Sequence, residues 1–463
     1  MSVELENVKC PEPDGSAGGV WPRGVERGAD GELRIAGLAA SELVRDFPTS
    51  VFVIDEADMR ARAAEWKAAM DEAFAEAAGL AGASVFYAGK AFLSVGVARW
   101  MSDEGLGIDT CSAGELTTAL AAGVAPEKLG LHGNNKSVRE ITMALDAGVA
   151  HLVVDSLAEL ALVEEIARER GAKANIMLRV TTGVHAGGHE FIATAHEDQK
   201  FGLSVTAGVA REAIEKVVAS EHLELVGLHS HIGSQILNLD AFVQALDVVL
   251  NLRGEAMKDL GCDIPEIDCG GGYAVRYTAL DDVPPAPREY ATALAAAVRG
   301  HAERTGVPAP HISIEPGRSI AAPACMTIYT VGTIKDVQLE EGGQRRYVSV
   351  DGGMSDNIRP ALYDAQYTAS VISRQAGDES VRSRVVGKHC ESGDIVVHDV
   401  ALPADIRAGD LLAVPVTGAY GRSMASNYNM LTRPGVVAVR DGQARYLVRP
   451  ETVEDLLNLD ADA

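Results

Sequence analysis

The sequence lacks any excess of positive charge. Lysine and arginine number 41 against 66 aspartates and glutamates, a formal net charge of −25 at pH 7 over 463 residues. A chain this acidic repels phosphate backbones, and no basic run offsets the charge, so no nucleic-acid partner is expected. No apolar run is long enough to span a bilayer. The N-terminus lacks a charged start followed by an apolar stretch, so neither a membrane association nor a secretory leader is expected. The six cysteines, Cys10, Cys111, Cys262, Cys269, Cys325 and Cys390, include no CxxC pair. In a chain this long they do not read as a disulfide framework, and a reducing, cytoplasmic setting is expected.

Apolar residues make up 47% of the chain, enough for a sizeable core, and the length suggests about two domains. Residues 1–48 are rich in glycine, proline and charge and are expected to pack with a C-terminal β domain. Thr49 to Asp55 reads as a short strand leading into an alanine-rich helix over 56–78. A rhythm of short apolar strands and amphipathic stretches follows. The strands are 84–88, 106–109, 128–131, 151–154, 174–180, 223–228, 264–268 and 311–315. Eight strands alternating with helices predict an α/β fold, a (β/α)8 TIM-like barrel over 49–320, although a doubly wound open sheet also alternates. From 321 to 463 the texture changes to β-like segments broken by Gly, Asp and Pro: 325–335, 345–350, 394–400, 410–416, 435–440 and 444–448. These predict an all-β barrel or sandwich domain.

In a parallel barrel the active site lies at the carboxyl ends of the strands. Strand one ends before Lys90, which is either a solvated surface charge or a partly desolvated amine able to form an imine beside Phe86, Tyr87 and Phe92. Strand two leads into Asp109 and Ser112, good helix caps that also place polar groups at the mouth. Strand three leads into His132-Gly133-Asn134-Asn135-Lys136, where turn chemistry explains the glycine and asparagines but not the histidine. Strand six ends near His229 and His231, which could be metal ligands; stacking on an aromatic cofactor is the alternative. Strand seven leads into Gly270-Gly271-Gly272, a plain turn or an anion-binding nest. Strand eight ends in Glu315-Pro316-Gly317-Arg318, a strand-end carboxylate that needs a partner, next to a common phosphate position. In the β-like region, Cys390-Glu391-Ser392-Gly393-Asp394, Gly418-Ala419-Tyr420-Gly421 and Arg359 through Tyr363 each read alone as turns. Taken together, an amine, an anion nest, a strand-end carboxylate and a flat imidazole fit one ligand, pyridoxal 5'-phosphate. No metal is expected.

Five of these motifs, in this order, resemble the fold type III pyridoxal-phosphate-dependent decarboxylases. They are Tyr87-Ala88-Gly89-Lys90-Ala91, His229 to Ser234, Gly270-Gly271-Gly272, Glu315-Pro316-Gly317-Arg318 and Cys390 to Asp394. The resemblance covers about residues 45–450 and, within that family, is to the members that decarboxylate meso-2,6-diaminopimelate to L-lysine, the last step of bacterial lysine synthesis. It implies that Lys90 holds the cofactor as a Schiff base and that His231 stacks on its ring. Glu315 pairs with the ring nitrogen. Gly271, Gly272 and Ser234 hold the phosphate, with the Gly317–Arg318 backbone and the Tyr420 hydroxyl; Asp109 also borders the cofactor. Arg318, Arg359, Tyr363, Glu391 and Tyr420 bind the amino-acid substrate. Cys390, the proton donor, reaches the site with Glu391 from a second subunit, so a homodimer is implied.

The chain departs from the family pattern beside the lysine, with Gly89 and Phe92 where Val and Asn are usual. His185, His189 and His196 lie in an insertion expected to form a lid or loop. The rival readings are a decarboxylase for ornithine, arginine or carboxynorspermidine, an amino-acid racemase, and a non-catalytic pyridoxal-phosphate-binding protein.

Overall fold

The computed structural model describes residues 5–184, 200–340 and 342–463; the His185, His189 and His196 insertion lies outside them. The chain divides into two units. One comprises Arg62–Ala274 and Pro285–Gly317; the other comprises the residues up to Ala61, with Val275–Pro284 and Arg318–Ala463.

The first unit is a closed parallel barrel. Its strands run in spatial order Ala83–Ala88, Gly107–Thr110, Leu129–Leu131, His151–Val154, Ala174–Thr181, Leu223–His229, Glu266–Asp268 and His311–Ile314. The last pairs back with the first, Ile312 opposite Ala83. Leu152 opposite Ile176 joins the fourth strand to the fifth, which an open doubly wound sheet would leave apart. The apolar runs of the sequence are explained by this closure, because strands covered on both faces need no polar alternation. Ile108, Leu129, Ile176, Leu178, Ile312 and Ile314 are fully buried. Serines start the helices that follow the strands. Ser94, Ser112, Ser137 and Ser156 each accept the backbone N–H of the third residue onward, which satisfies an otherwise orphaned donor. These four strands therefore hand over to their helices through short polar loops at the same end of the barrel.

The second unit is mostly sheet. Its central strands are Cys325–Gln338 and Val51–Asp55, which pair antiparallel with Cys325 opposite Ile54. Val51–Asp55 also pairs in parallel with Gly435–Arg440, and all five of its residues are buried. The strand read before the alternating rhythm thus belongs to this sheet and not to the barrel. Its following helix ends at Ala73, and a single 3-10 turn, Glu76–Ala78, completes the stretch read as one helix. The outer order is Ile395–Pro403, Ser380–Val386 and Gln344–Val350 on one side, and Gln443–Val448 on the other.

Candidate active site

Six of the eight barrel strands end in chemically active side chains, and the parallel register brings them to one mouth. His229 lies opposite Asp268 and Arg179 in neighbouring strands, and Ala88 lies opposite Asp109. Beyond the third strand, His132 Nε2 sits 2.9 Å from Glu315 Oε1 and 3.1 Å from Asp109 Oδ1. His229 Nε2 is 3.5 Å from the same Glu315 oxygen. Two carboxylates and two imidazoles thus converge in a region where Glu315, Asp109 and His229 are each no more than 3% exposed.

Such a cluster cannot hold every group ionised. Burial pushes Asp109 far above the ordinary carboxylate range, and the charge of Glu315 adds to this. Burial pushes Glu315 up as well, but the His132 and His229 imidazoles outweigh it and hold the carboxylate well below its ordinary range. The pair therefore splits, with Asp109 raised and Glu315 lowered. Burial lowers His132, and lowers His229 from 6.5 to about 4.

A consequence for stability follows. A histidine lowered on folding binds its proton more weakly in the native chain, so its contribution is complete above about pH 6.5 and is lost as the pH falls toward about 4. The melting temperature is expected to drop across that window, and His229→Asn is expected to flatten part of the drop. An unchanged pH dependence in the variant would contradict this assignment.

The seventh and sixth strands supply a backbone cradle. Gly270 and Gly272 have φ of 68° and 115°, and a Cβ on them would lie 2.6 Å from Ser230 O and 2.5 Å from Gly233 O. A Cβ on Gly271 would collide with the Glu315 carbonyl. Only glycine lets these three segments approach so closely. Ile236 N–H donates to Gly272 O at 2.9 Å, which brings the exposed Ser234 loop to the same rim. Gly271 N–H donates to His231 Nδ1 at 3.2 Å, so that nitrogen accepts and the ring is fixed as one tautomer. Burial and the nearby charge of Lys90 both lower His231. At Gly317 a Cβ would meet Ala88 Cβ at 2.8 Å, so the turn after strand eight lies against the end of strand one.

Lys90 follows strand one by two residues and is exposed, which corrects the expectation of a partly desolvated amine. The apolar neighbours invoked for that expectation, Phe86, Tyr87 and Phe92, are themselves buried in the barrel. The lysine charge nevertheless acts on Asp109, His132 and His231. Its unusual neighbours have physical reasons. A Cβ at Gly89 would lie 2.9 Å from Asp109 O, leaving no room for valine on this backbone. Phe92 is 5% exposed, and its carbonyl accepts the Tyr87 hydroxyl at 2.7 Å.

The second unit holds its own constellation. Arg359 Nε donates to Tyr367 Oη at 3.0 Å, and Arg318 Nη1 donates to Tyr277 Oη at 2.5 Å. Both guanidiniums face the Tyr420 ring, at 4.8 Å for Arg318 and 5.7 Å for Arg359. Tyr363 flanks Arg359 at 5.6 Å. Arg359 is only 7% exposed, and no carboxylate pairs with it among the described residues. Cys390 and Glu391 are exposed on a separate turn of this unit.

The family model for the pyridoxal-dependent decarboxylase, pyridoxal binding domain, matches residues 56–322. The chain belongs to the pyridoxal-dependent decarboxylases. Diaminopimelate decarboxylase of Mycobacterium tuberculosis is 50% identical over 445 residues, which cover 95% of this chain and 97% of that one. The Bacillus subtilis enzyme of the same name is 45% identical over 93% of this chain and 95% of its own. The crystal structure of diaminopimelate decarboxylase from M. jannaschii in complex with L-lysine superposes with a TM-score of 0.86 at 32% identity, covering 95% of this chain and 98% of that one.

The barrel of this decarboxylase fits the family's cofactor. Glu315, buried and held charged between the His132 and His229 imidazoles, offers a carboxylate of the kind a protonated ring nitrogen requires. The glycine cradle, with Ser234 at its rim, offers backbone to a phosphate, although Gly271 N–H is already engaged by His231. The structure brings together Lys90, Asp109, His231, Ser234, Gly271, Gly272, Glu315 and Gly317 in the barrel, and Arg318, Arg359, Tyr363 and Tyr420 in the other unit. Asp109 does not cap a helix; Ser112 does. His231 does not pair with His229 as a ligand set; the grouping with metal-ligand geometry among the described residues is His132, His229 and Glu315. Sequence reasoning missed Arg179, Tyr277 and Tyr367.

Proposed function

We propose that this chain decarboxylates meso-2,6-diaminopimelate to L-lysine and carbon dioxide with pyridoxal 5'-phosphate. The observation that carries the substrate is Arg359, a buried guanidinium with aromatic neighbours and no carboxylate of its own. A buried charge is stable only when paired. Diaminopimelate carries a second carboxylate at its far end, whereas ornithine and arginine carry cations there, which Arg359 and Arg318 would repel. The relatives that share 45–50% identity bear the same activity in their names.

The bound cofactor supplies an electron sink for the bond that loses carbon dioxide. Lys90 would hold it through its amine, and Gly271, Gly272, Ser234 and Gly317 would hold its phosphate. Glu315, its carboxylate held well below the ordinary range, would keep a proton on the ring nitrogen. His231, its tautomer set by Gly271 N–H, would pack against the ring. Asp109, whose pKa burial and the Glu315 charge raise, would border the ring. Arg318, Arg359, Tyr363 and Tyr420 orient the substrate. Cys390 delivers a proton to the carbon that lost carbon dioxide, with Glu391 beside it, and both are assigned to the site of a neighbouring copy in a homodimer. The reducing cytoplasm suits its free thiols, since all six cysteines are unbridged. Among the described residues no helix is long and apolar enough to cross a membrane.

Carbon dioxide release from meso-diaminopimelate, ornithine, arginine and carboxynorspermidine tests the assignment. Turnover is expected for diaminopimelate, with the others about 10⁴-fold slower or more, the scale on which a site built for one polar group rejects substrates lacking it. Preference for any of the others would replace this reading with its nearest rival.

A further inference from the structure

The turn that carries Cys390 is exposed, so packing alone does not fix the thiol. Its backbone is instead held by one oxygen. Asn429 Oδ1 accepts Cys390 N–H at 3.2 Å and also lies 3.2 Å from His389 Nδ1. The other imidazole nitrogen, Nε2, accepts Ser355 N–H at 3.3 Å and lies 2.8 Å from Ser355 Oγ. Because Nε2 accepts a backbone N–H, the ring proton belongs on Nδ1, where it donates to Asn429. The chain Ser355 to His389 to Asn429 to Cys390 is thus complete in donors and acceptors.

Each end of this chain is itself anchored. His389 is 8% exposed and stacks on Tyr428 at 5.3 Å. Asp394 closes the turn from below, its two oxygens accepting Met354 N–H at 2.6 Å and His389 N–H at 2.8 Å. Gly353 permits that closure, since a Cβ there would lie 2.6 Å from the Asp394 carboxylate. Asn429 sits at φ 53°, a left-handed conformation that non-glycine residues adopt at a cost and asparagine tolerates best. The adjoining turn is held by Asn427, which donates to Glu451 Oε2 at 2.6 Å. A strained asparagine, fixed from both sides and spending its one oxygen on Cys390 N–H and His389, is an arrangement for placing Cys390.

We propose that His389 and Asn429 are positioning residues that aim the Cys390 thiol for proton delivery. The inference rests on the reading of Cys390 as the proton donor. They act through the backbone of the turn that carries Cys390.

The test uses the holoenzyme with Cys390→Ala, Asn429→Gly, Asn429→Asp and His389→Gln, and the double variant Cys390→Ala/Asn429→Gly. Glycine keeps the left-handed backbone while removing the carboxamide, so strain does not confound it. Asn429→Gly is expected to lower kcat roughly 10- to 100-fold, as a misplaced reacting group does, with little change in KM or in the bound-cofactor absorbance. Asn429→Asp, which keeps the acceptor oxygen, and His389→Gln, which keeps a donor and an acceptor, are expected to restore much of the rate. The double variant is expected to be no slower than Cys390→Ala alone, because Asn429 acts only through that thiol. If Asn429→Gly keeps full kcat while Cys390→Ala loses it, or if the two losses multiply, the positioning role is overturned and the reading of Cys390 stands. If Cys390→Ala itself keeps full kcat, the reading of Cys390 falls, and the positioning role with it.

Discussion

Lys90→Ala is expected to lower carbon dioxide release from meso-diaminopimelate by at least about 10³-fold, the scale of losing a covalent and acid–base group together. Its absorbance at the visible edge is expected to vanish at the same time. The basis is geometric. Lys90 stands past the end of the first barrel strand, and its charge acts on Asp109, His132 and His231 at the same mouth. Its position is fixed by the chain on either side. Gly89 N–H donates to Asp109 O at 2.9 Å, and Ala91 N–H donates to Ala88 O at 3.1 Å. Alanine removes the amine without disturbing either bond, so the melting temperature is expected to hold. Full activity with the absorbance intact would remove Lys90 from the account.

The second large effect belongs to Glu315. Glu315→Gln is expected to slow turnover by about 10²-fold or more, with the substrate KM little changed. Glutamine has the same shape but cannot stay charged, so it cannot keep a ring nitrogen protonated. The native carboxylate is suited to that task because the imidazoles around it outweigh its burial. Loss of the Glu315 charge also removes one of the two main causes that hold Asp109 high, so Asp109 is expected to titrate at lower pH in the variant. Steady-state rates, together with the ionisation of Asp109 followed by NMR, check both halves. A variant with native turnover would show that Glu315 is only structural.

The barrel was legible because its strands are covered on both faces and read as continuous apolar runs, each closed by turn residues. Strand ends such as Lys90, Glu315 and Gly270–Gly272 were legible for the same reason, since the fold sends every strand end to one face. The sheet unit was less so. Ser380–Val386, where Val alternates with Ser and Arg, was not among the expected strands, although alternation is what a half-buried strand shows. Val51–Asp55 is wholly apolar but for its last residue, and nothing local says whether it pairs with the barrel or with Cys325–Gln338. Tyr277 lies in Val275–Pro284, a short segment placed by sequence among the barrel strands and by structure with the other unit. Tyr367 sits in an irregular stretch, and only its hydrogen bond from Arg359 marks it. Arg179 was hidden inside the fifth strand, although a charged residue near the carboxyl end of an otherwise apolar barrel strand is a signal that could have been used. His132 was visible as an unexplained histidine; its two carboxylate neighbours come from strands two and eight, a long-range fact no local pattern carries.

Reduction of the holoenzyme with borohydride, followed by peptide mapping, tests the central claim most directly. The account predicts one pyridoxyl group per chain, on the peptide containing Lys90, and its loss when meso-diaminopimelate is added before the reductant. A pyridoxyl group on another lysine, such as the buried Lys136, or none on any peptide, would contradict it.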